Sequence, residues 1–467
     1  MGSHFWKLSA SELIDAYARK EYSPVEVFEE LLERIHHLNP KLNAYLAIDE
    51  EGAREAAKRA ESIWLSPGEK PLLCGVPVSV KDTIEMKGMP TTYGSLAFKN
   101  NYQDDSEIVR QLRRSGAVIV GKTNTPEFAL LAACYNRLGD DGRNPWNLEH
   151  TCGGSSGGAG SSVASGLGQL AIGTDSGGSI RVPAAYNGIY GLKPTYQRIP
   201  AIQKWRAAPN RSHNGPLTRT VRDSALFMQA LAYYDSRDPN TNWKPENFMD
   251  FAKGSILGTK VALSYDLGEG LDLDPEIKSM LDRAASLLKE LGCKIEMADP
   301  PPGPRKDELE PGVWAYSGDH YAGAEAMVEN FWEKHADDLT DYTRPIYEKG
   351  RTALAWQYRV VLKNNQEYVR QFEEWFTRYD YILCPVAVPA PKVEAVRGRD
   401  SGLKFTKLFN LTHSPAASVP FTFHSNGLPM SIQLVGKKGD DLGVLRMSAA
   451  IEANQPWAHR WPSIAEF

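Results

Sequence analysis

Two glycine–serine clusters share one short stretch of this chain: Gly153-Gly154-Ser155-Ser156-Gly157-Gly158 and Gly173-Thr174-Asp175-Ser176-Gly177-Gly178-Ser179-Ile180-Arg181. Flexible linkers are monotonous in Gly and Ser, with no apolar residues to pack. Here Val163, Ala164, Leu167, Leu170, Ala171 and Ile172 fill the interval, so the segment reads as a packed part of a fold. Glycine lets a backbone approach a reacting group closely and adopt conformations that a Cβ forbids. Serine is a poor nucleophile unless a base takes its proton and N–H donors receive the oxyanion. The clusters supply hydroxyls and donors but no base. A candidate lies upstream, in Gly75-Val76-Pro77-Val78-Ser79-Val80-Lys81-Asp82, where a lysine ends an apolar, strand-like run. Burial there would keep its amine neutral.

Together these segments carry a resemblance. Gly153 to Thr195, closing on Pro183-Ala184-Ala185-Tyr186-Asn187-Gly188-Ile189-Tyr190-Gly191-Leu192-Lys193-Pro194-Thr195, resembles the signature of the amidase signature family of serine hydrolases. Val78-Ser79-Val80-Lys81-Asp82 is similar to that family's lysine motif. Gly427-Leu428-Pro429-Met430 and Gln433-Leu434-Val435-Gly436 are similar to its C-terminal end. The resemblance implies an α/β fold, one large domain over 1–467 with a mixed β-sheet covered by helices. It implies a signature core at about 70–220 and a variable, substrate-selecting segment at about 300–360. Carried over position by position, the catalytic triad falls on Lys81, Ser155 and Ser179, with Ser155 on a cis peptide bond. The N–H groups of Ser176, Gly177 and Gly178 are expected to hold the oxyanion, and Asp175 and Arg181 to support the loop. Neither a metal nor an organic cofactor is implied.

Composition narrows the partners. With 42% hydrophobic and 24% charged residues among 467, the chain reads as an ordinary globular protein. A net charge of −5 gives no electrostatic reason to expect nucleic acid or an anionic membrane. No apolar run approaches the ~18 residues of a membrane span. Met1-Gly2-Ser3-His4-Phe5-Trp6-Lys7 lacks the apolar core of a signal peptide, so a cytoplasmic location is expected. The five cysteines are odd in number, scattered and without a CxxC, which predicts reduced thiols with no metal or disulfide role. A homodimer is compatible with all this and required by none of it.

Punctuation along the chain predicts alternating helices and strands. Ser9-Ala10-Ser11-Glu12 and Ser23-Pro24-Val25-Glu26 are capping boxes, the second leading into a stripe of Val25, Phe28, Leu32 and Ile35. A strand at 75–81, a helix near 106–114 and an apolar strand at 117–120 follow. Asp274-Pro275 opens a helix with Ile277, Met280, Leu281, Ala284, Leu288 and Leu291 on one face, and Gly292 stops it. Lys294-Ile295-Glu296-Met297 and Met430-Ser431-Ile432-Gln433-Leu434 alternate as strands, and a helix is expected from Leu442 to Glu452. Pro300-Pro301-Pro302-Gly303-Pro304 breaks the pattern. The aromatic-rich segment after it reads first as helix packing and second as a substrate-pocket wall.

Three competing motifs fail on context. Gly166-Leu167-Gly168-Gln169-Leu170-Ala171 matches a dinucleotide fingerprint, which must follow a strand, but Ser161–Ser165 before it looks helical. Gly154-Ser155-Ser156-Gly157-Gly158 matches the nucleophile elbow, which needs an apolar strand immediately before it and a later histidine such as His413, His424 or His459. The preceding 145–152 reads as no strand. No HExxH pair is present for zinc hydrolysis. The remaining alternative shares the signature: the catalytic subunit of a glutamine-dependent tRNA amidotransferase. That subunit typically carries an Ala-Ser-Ser-Leu-Asp-Gln type sequence before Gly215-Pro216, where this chain has Trp205-Arg206-Ala207-Ala208-Pro209-Asn210-Arg211-Ser212-His213-Asn214. The expected reading is therefore a stand-alone hydrolase of a carbon–nitrogen bond in a small amide or carbamate. Tyr135, Trp205 and Trp314, in variable segments, point to an apolar or aryl substrate.

Overall fold

The N-terminal helices start where their caps predict. Ser9 accepts from the Glu12 N–H and Ser23 from those of Val25 and Glu26, each box closed by its glutamate, at the starts of Ala10–Ala18 and Pro24–Leu42. The computed structural model describes residues 5–202, 208, 210–241, 243–304, 310–396 and 403–466, without the side chains of 310–316. Trp205 therefore lies outside the described residues. The backbone of Trp314 sits in the helix Glu310–Met327, with its side chain outside the description.

The strands are β1 (Tyr45–Ile48), β2 (Pro77–Lys81), β3 (Val118–Thr123), β4 (Arg143–Asn144), β5 (Asn147–Thr151) and β6 (Leu170–Asp175). They continue with β7 (Tyr190–Lys193), β8 (His213–Thr218), β9 (Lys260–Leu263), β10 (Lys294–Met297), β11 (Tyr381–Pro385), β12 (Ala416–Phe423) and β13 (Pro429–Gly436). Among the described residues eleven of them form one sheet, in the order β1-β3-β2-β6-β8-β7-β12-β13-β11-β9-β10. The sheet is mixed: β2 runs parallel to β3 and β6, and β9 parallel to β10 and β11, while the other pairs are antiparallel. Every residue of β2, β3 and β6 is buried, as parallel strands covered on both faces must be.

The parallel pairing of β2 and β6 positions the site. Val80 lies opposite Ile172, so Lys81 at the end of β2 emerges beside Gly173 and Thr174 at the end of β6. The helix Gly157–Ala164, built from nothing larger than valine, packs against this edge with all eight residues buried. Its small residues are a steric requirement. A Cβ on Gly158 would stand 2.3 Å from the Ala44 carbonyl oxygen and 2.4 Å from the Asn124 nitrogen.

The helix Pro275–Glu290 buries Ile277, Met280, Leu281, Ala284 and Leu288 on one face, each large side chain contributing ~1.5–3 kcal/mol. Leu291 caps it, and Gly292 follows at φ +88°. One expectation changes, and another is narrowed. Residues 147–151 do form a strand, β5, but a polar one confined to a hairpin with β4 and outside the main sheet. In the aromatic segment, Phe331 and Tyr347 pack with Tyr93, Phe98 and Phe128 as a buried cluster, so these two rings are core.

Candidate active site

Lys81 is fully buried, and its Nζ donates to Ser155 Oγ at 2.6 Å and to Thr174 Oγ1 at 2.8 Å. Burial pushes its ammonium down to about 7, against the pull of Cys134 and Asp175, which favour the charged form. Ser155 follows a cis peptide bond from Gly154. Ser156 then clamps the loop to the sheet: its Oγ donates to the Thr174 carbonyl and accepts from the Thr174 N–H, both at 3.2 Å. The Ser156 N–H donates to the Ser179 carbonyl at 3.1 Å. These bonds bring the first cluster, with Ser155, against the turn that carries Ser179.

That turn is organised by a buried carboxylate. Asp175 accepts from the N–H groups of Gly178 (2.7 Å) and Ile180 (3.1 Å), from Arg181 Nε and Nη2, and from Asn410 Nδ2. Burial alone would raise its pKa, but the Arg181 guanidinium, with Lys193 and Asn410, holds the carboxyl well below the usual carboxylate range. Arg181 also donates to the Thr406 carbonyl, Gln433 Oε1 and Asn410 Oδ1. It is completely buried, and its charge is matched by Asp175 at 2.9 Å.

The oxyanion expectation is corrected in part. The Gly178 N–H is already committed to Asp175, so it is no free donor. Among the described residues the N–H groups of Ser176, Gly177 and Ser179 make no such bond. Gly178 itself has φ +142°, and a Cβ there would stand 2.2 Å from Thr406 Oγ1.

Tyr135 is half-buried, its ring 5.7 Å from that of Tyr342 and its carbonyl accepting from the Tyr342 hydroxyl. His413 stacks on Tyr196 and pairs with the Asn210 carbonyl, while burial lowers its pKa to about 4. The fingerprint-like 166–171 follows a helix and enters β6, the reverse of a dinucleotide site. Among the described residues no group of three or more metal-ligating side chains occurs, and no helix is long and apolar enough to cross a membrane.

Sequence reasoning missed Thr174, Asn410, Thr406 and Gln433. Thr174 was open to detection, because it sits inside the second cluster at the end of a strand parallel to the one that ends at Lys81. Asn410 and Thr406 are remote in sequence and carry no local signal, and Gln433 stood out only as the start of the C-terminal motif, with no role attached.

The family model for Amidase matches residues 26–445. An acylamidase of Rhodococcus erythropolis is 32% identical over 98% of this chain and 97% of its own. The A-type subunit of a glutamyl-tRNA(Gln) amidotransferase from Halalkalibacterium halodurans is also 32% identical, over 95% of this chain and 96% of its own. The crystal structure of a bacterial aryl acylamidase superposes with a TM-score of 0.90 at 28% identity, covering 98% of each chain. The chain belongs to the amidase family, with the fold of the amidase signature enzymes. Its chemistry is that of the family, hydrolysis of an amide carbon–nitrogen bond.

Proposed function

We propose that this protein is a stand-alone amide hydrolase working through Lys81, Ser155 and Ser179 and an acyl-enzyme, on a small apolar or aryl amide or carbamate. The observation that carries the reading is the buried Lys81 amine, 2.6 Å from Ser155 Oγ and half-deprotonated near neutral pH. The neutral amine accepts the Ser155 proton while Ser155 takes that of Ser179, whose Oγ attacks the carbonyl carbon. The developing oxyanion is met by the N–H groups of Ser176, Gly177 and Ser179. The proton returns through Ser155 to the departing nitrogen, which an amide needs in order to leave. Water activated by the same relay then releases the acid. Asp175 and Arg181 hold the turn in shape and take no part in proton transfer. The aryl preference is supported by the aryl acylamidase and acylamidase relatives.

The test is to assay the purified chain alone against anilides, fatty amides, ureas and carbamates, with fluorophosphonate labelling of wild type and Ser179→Ala. Turnover of an anilide by the isolated chain, with turnover and label both lost in Ser179→Ala, is expected. Activity only on glutamine, and only with added partner proteins, would assign the chain to the amidotransferase class. A labelled, active Ser179→Ala protein would refute the assignment of the nucleophile.

A further inference from the structure

Five cysteines are buried, and two of them meet directly behind the Ser155 loop. The sulfurs of Cys134 and Cys152 each lie 2.7 Å from the point that a Cβ on Gly157 would occupy, so no more than twice that distance separates them. Gly142 is as close: a Cβ there would stand 2.8 Å from Cys134 Cβ and from Cys152 Sγ. The two cysteine side chains thus fill the space that a Cβ on either glycine would need, and the absence of both Cβ atoms is what lets the sulfurs sit this close to the loop. The Cys134 thiol faces the carbonyls of Asn124 (3.4 Å), Gly153 (3.5 Å) and Ser155 (3.9 Å), the last two flanking the peptide that presents the Ser155 hydroxyl.

The two thiols differ in character. Cys134 sits at the N-terminus of the helix Gly157–Ala164, where helix N–H groups favour a thiolate. Burial opposes that charge, but the hydrogen bonds of the Cys152 thiol and the Gly158 N–H lead the influences that hold Cys134 below its ordinary range. Cys152, whose thiol donates to the Gly153 carbonyl at 3.7 Å, is pushed the other way by Cys134 and by burial and keeps its proton. One nucleophilic sulfur beside one protonated partner is the arrangement that peroxide closes to a disulfide.

We propose that Cys134 and Cys152 form a peroxide-sensitive dithiol whose closure to a disulfide separates Ser155 from Lys81 and stops catalysis. The consequence for catalysis rests on the Ser-Ser-Lys reading above. The Cys134 thiolate attacks one oxygen of hydrogen peroxide. The O–O bond breaks, and the hydroxide released takes up the thiol's proton as water, leaving a sulfenic acid on Cys134. The Cys152 sulfur then attacks that sulfur, the S–S bond forms, the S–O bond breaks, and the hydroxide leaves with the Cys152 proton as a second water. In sum, two thiols lose two electrons and one peroxide gains them. Peroxide is little larger than water, and because both sulfurs are buried it meets them through opening of the surrounding loops. Once bonded to Cys152, the Cys134 sulfur is drawn from its place against the Gly153 and Ser155 carbonyls. A displacement of about 1 Å at a reacting hydroxyl lowers turnover about 100-fold.

The experiment titrates the full-length reduced enzyme with hydrogen peroxide and reads three quantities: free thiols in denaturant, bridged peptides by mass, and hydrolysis of the best anilide. The thiol count should fall from five to three, with one bridge, joining Cys134 to Cys152. Activity should fall about 100-fold in parallel and return with dithiothreitol. Cys152→Ala should hydrolyse the anilide before treatment and form no bridge under peroxide; should it fail to fold, the wild-type count and peptide map decide alone. A count that stays at five, a bridge between other cysteines, or a Cys134–Cys152 bridge with unchanged turnover would overturn the proposal. An enzyme with no amidase activity when reduced would refute the triad reading, and the count and map would still decide on the bridge.

Discussion

Replacing Lys81 with methionine should abolish turnover and make the fold more stable, relative to wild type, in acid than in alkali. In the folded protein Lys81 holds its proton only below about 7, against 10.5 for a free side chain. Between those values the unfolded chain binds the extra proton, so the stability tied to Lys81 rises with pH across this window, and its burial costs most below it. The full difference corresponds to about 5 kcal/mol, nearly all of it present at pH 6 and about 1 kcal/mol at pH 10. Lys81→Met removes that cost and leaves the hydroxyls of Ser155 and Thr174 without their amine partner, at about 1–3 kcal/mol each. The hydrogen-bond loss is common to both conditions, so it drops out of the comparison. From pH 6 to pH 10 the stability of Lys81→Met relative to wild type should fall by about 4 kcal/mol. Urea unfolding followed by tryptophan fluorescence at pH 6, 8 and 10 measures this directly. A difference constant to within about 1 kcal/mol would mean that Lys81 titrates alike in both states, and the case for a neutral buried base would collapse.

The rate should carry the same signature: kcat/KM is expected to fall about tenfold per unit below the Lys81 pKa of about 7. A profile governed by a single group near 4 would shift the base to His413, whose pKa burial lowers to about that value. Arg181→Met strands the buried Asp175 carboxylate and should lower stability by about 3–5 kcal/mol, read as a shift in urea midpoint. A loss under about 1 kcal/mol would show that the pair behaves like a surface ion pair. Gly178→Ala drives a Cβ to 2.2 Å from Thr406 Oγ1 at φ +142°, and should cut fluorophosphonate labelling of Ser179 far below wild type; labelling at the wild-type rate would show the turn free to relax.

The meeting of Lys81, Ser155 and Thr174 was partly legible because each lies in a short motif. The lysine run and the second cluster lie at strand ends, and parallel pairing of neighbouring strands brings such ends to one edge. The helix caps were equally readable, since a capping box is satisfied within four residues. The polar hairpin strand β5 was not, because Asn147-Leu148-Glu149-His150-Thr151 has neither the apolar content nor the β-branched residues of a core strand. The hydrogen bond from the Gly178 N–H to Asp175 was hidden for a related reason. Which N–H of a turn faces the substrate depends on where the Asp175 carboxylate settles, and that is fixed by Arg181 and Asn410 rather than by the turn's own sequence.

The reach of Arg181 has a consequence for how this protein comes to life on the ribosome. Its guanidinium braces the Ser179 turn against the Thr406 carbonyl, Asn410 and Gln433, side chains and backbone made more than 200 residues after it. A nascent chain can emerge with Lys81, Ser155 and Ser179 all synthesised and still lack the partners that set the turn. Such long-range contacts form late because closing so large a loop is entropically costly. The Ser179 turn is therefore set only when translation is nearly finished, and a fragment ending before Thr406 carries Lys81, Ser155 and Ser179 while missing all three of these partners of Arg181.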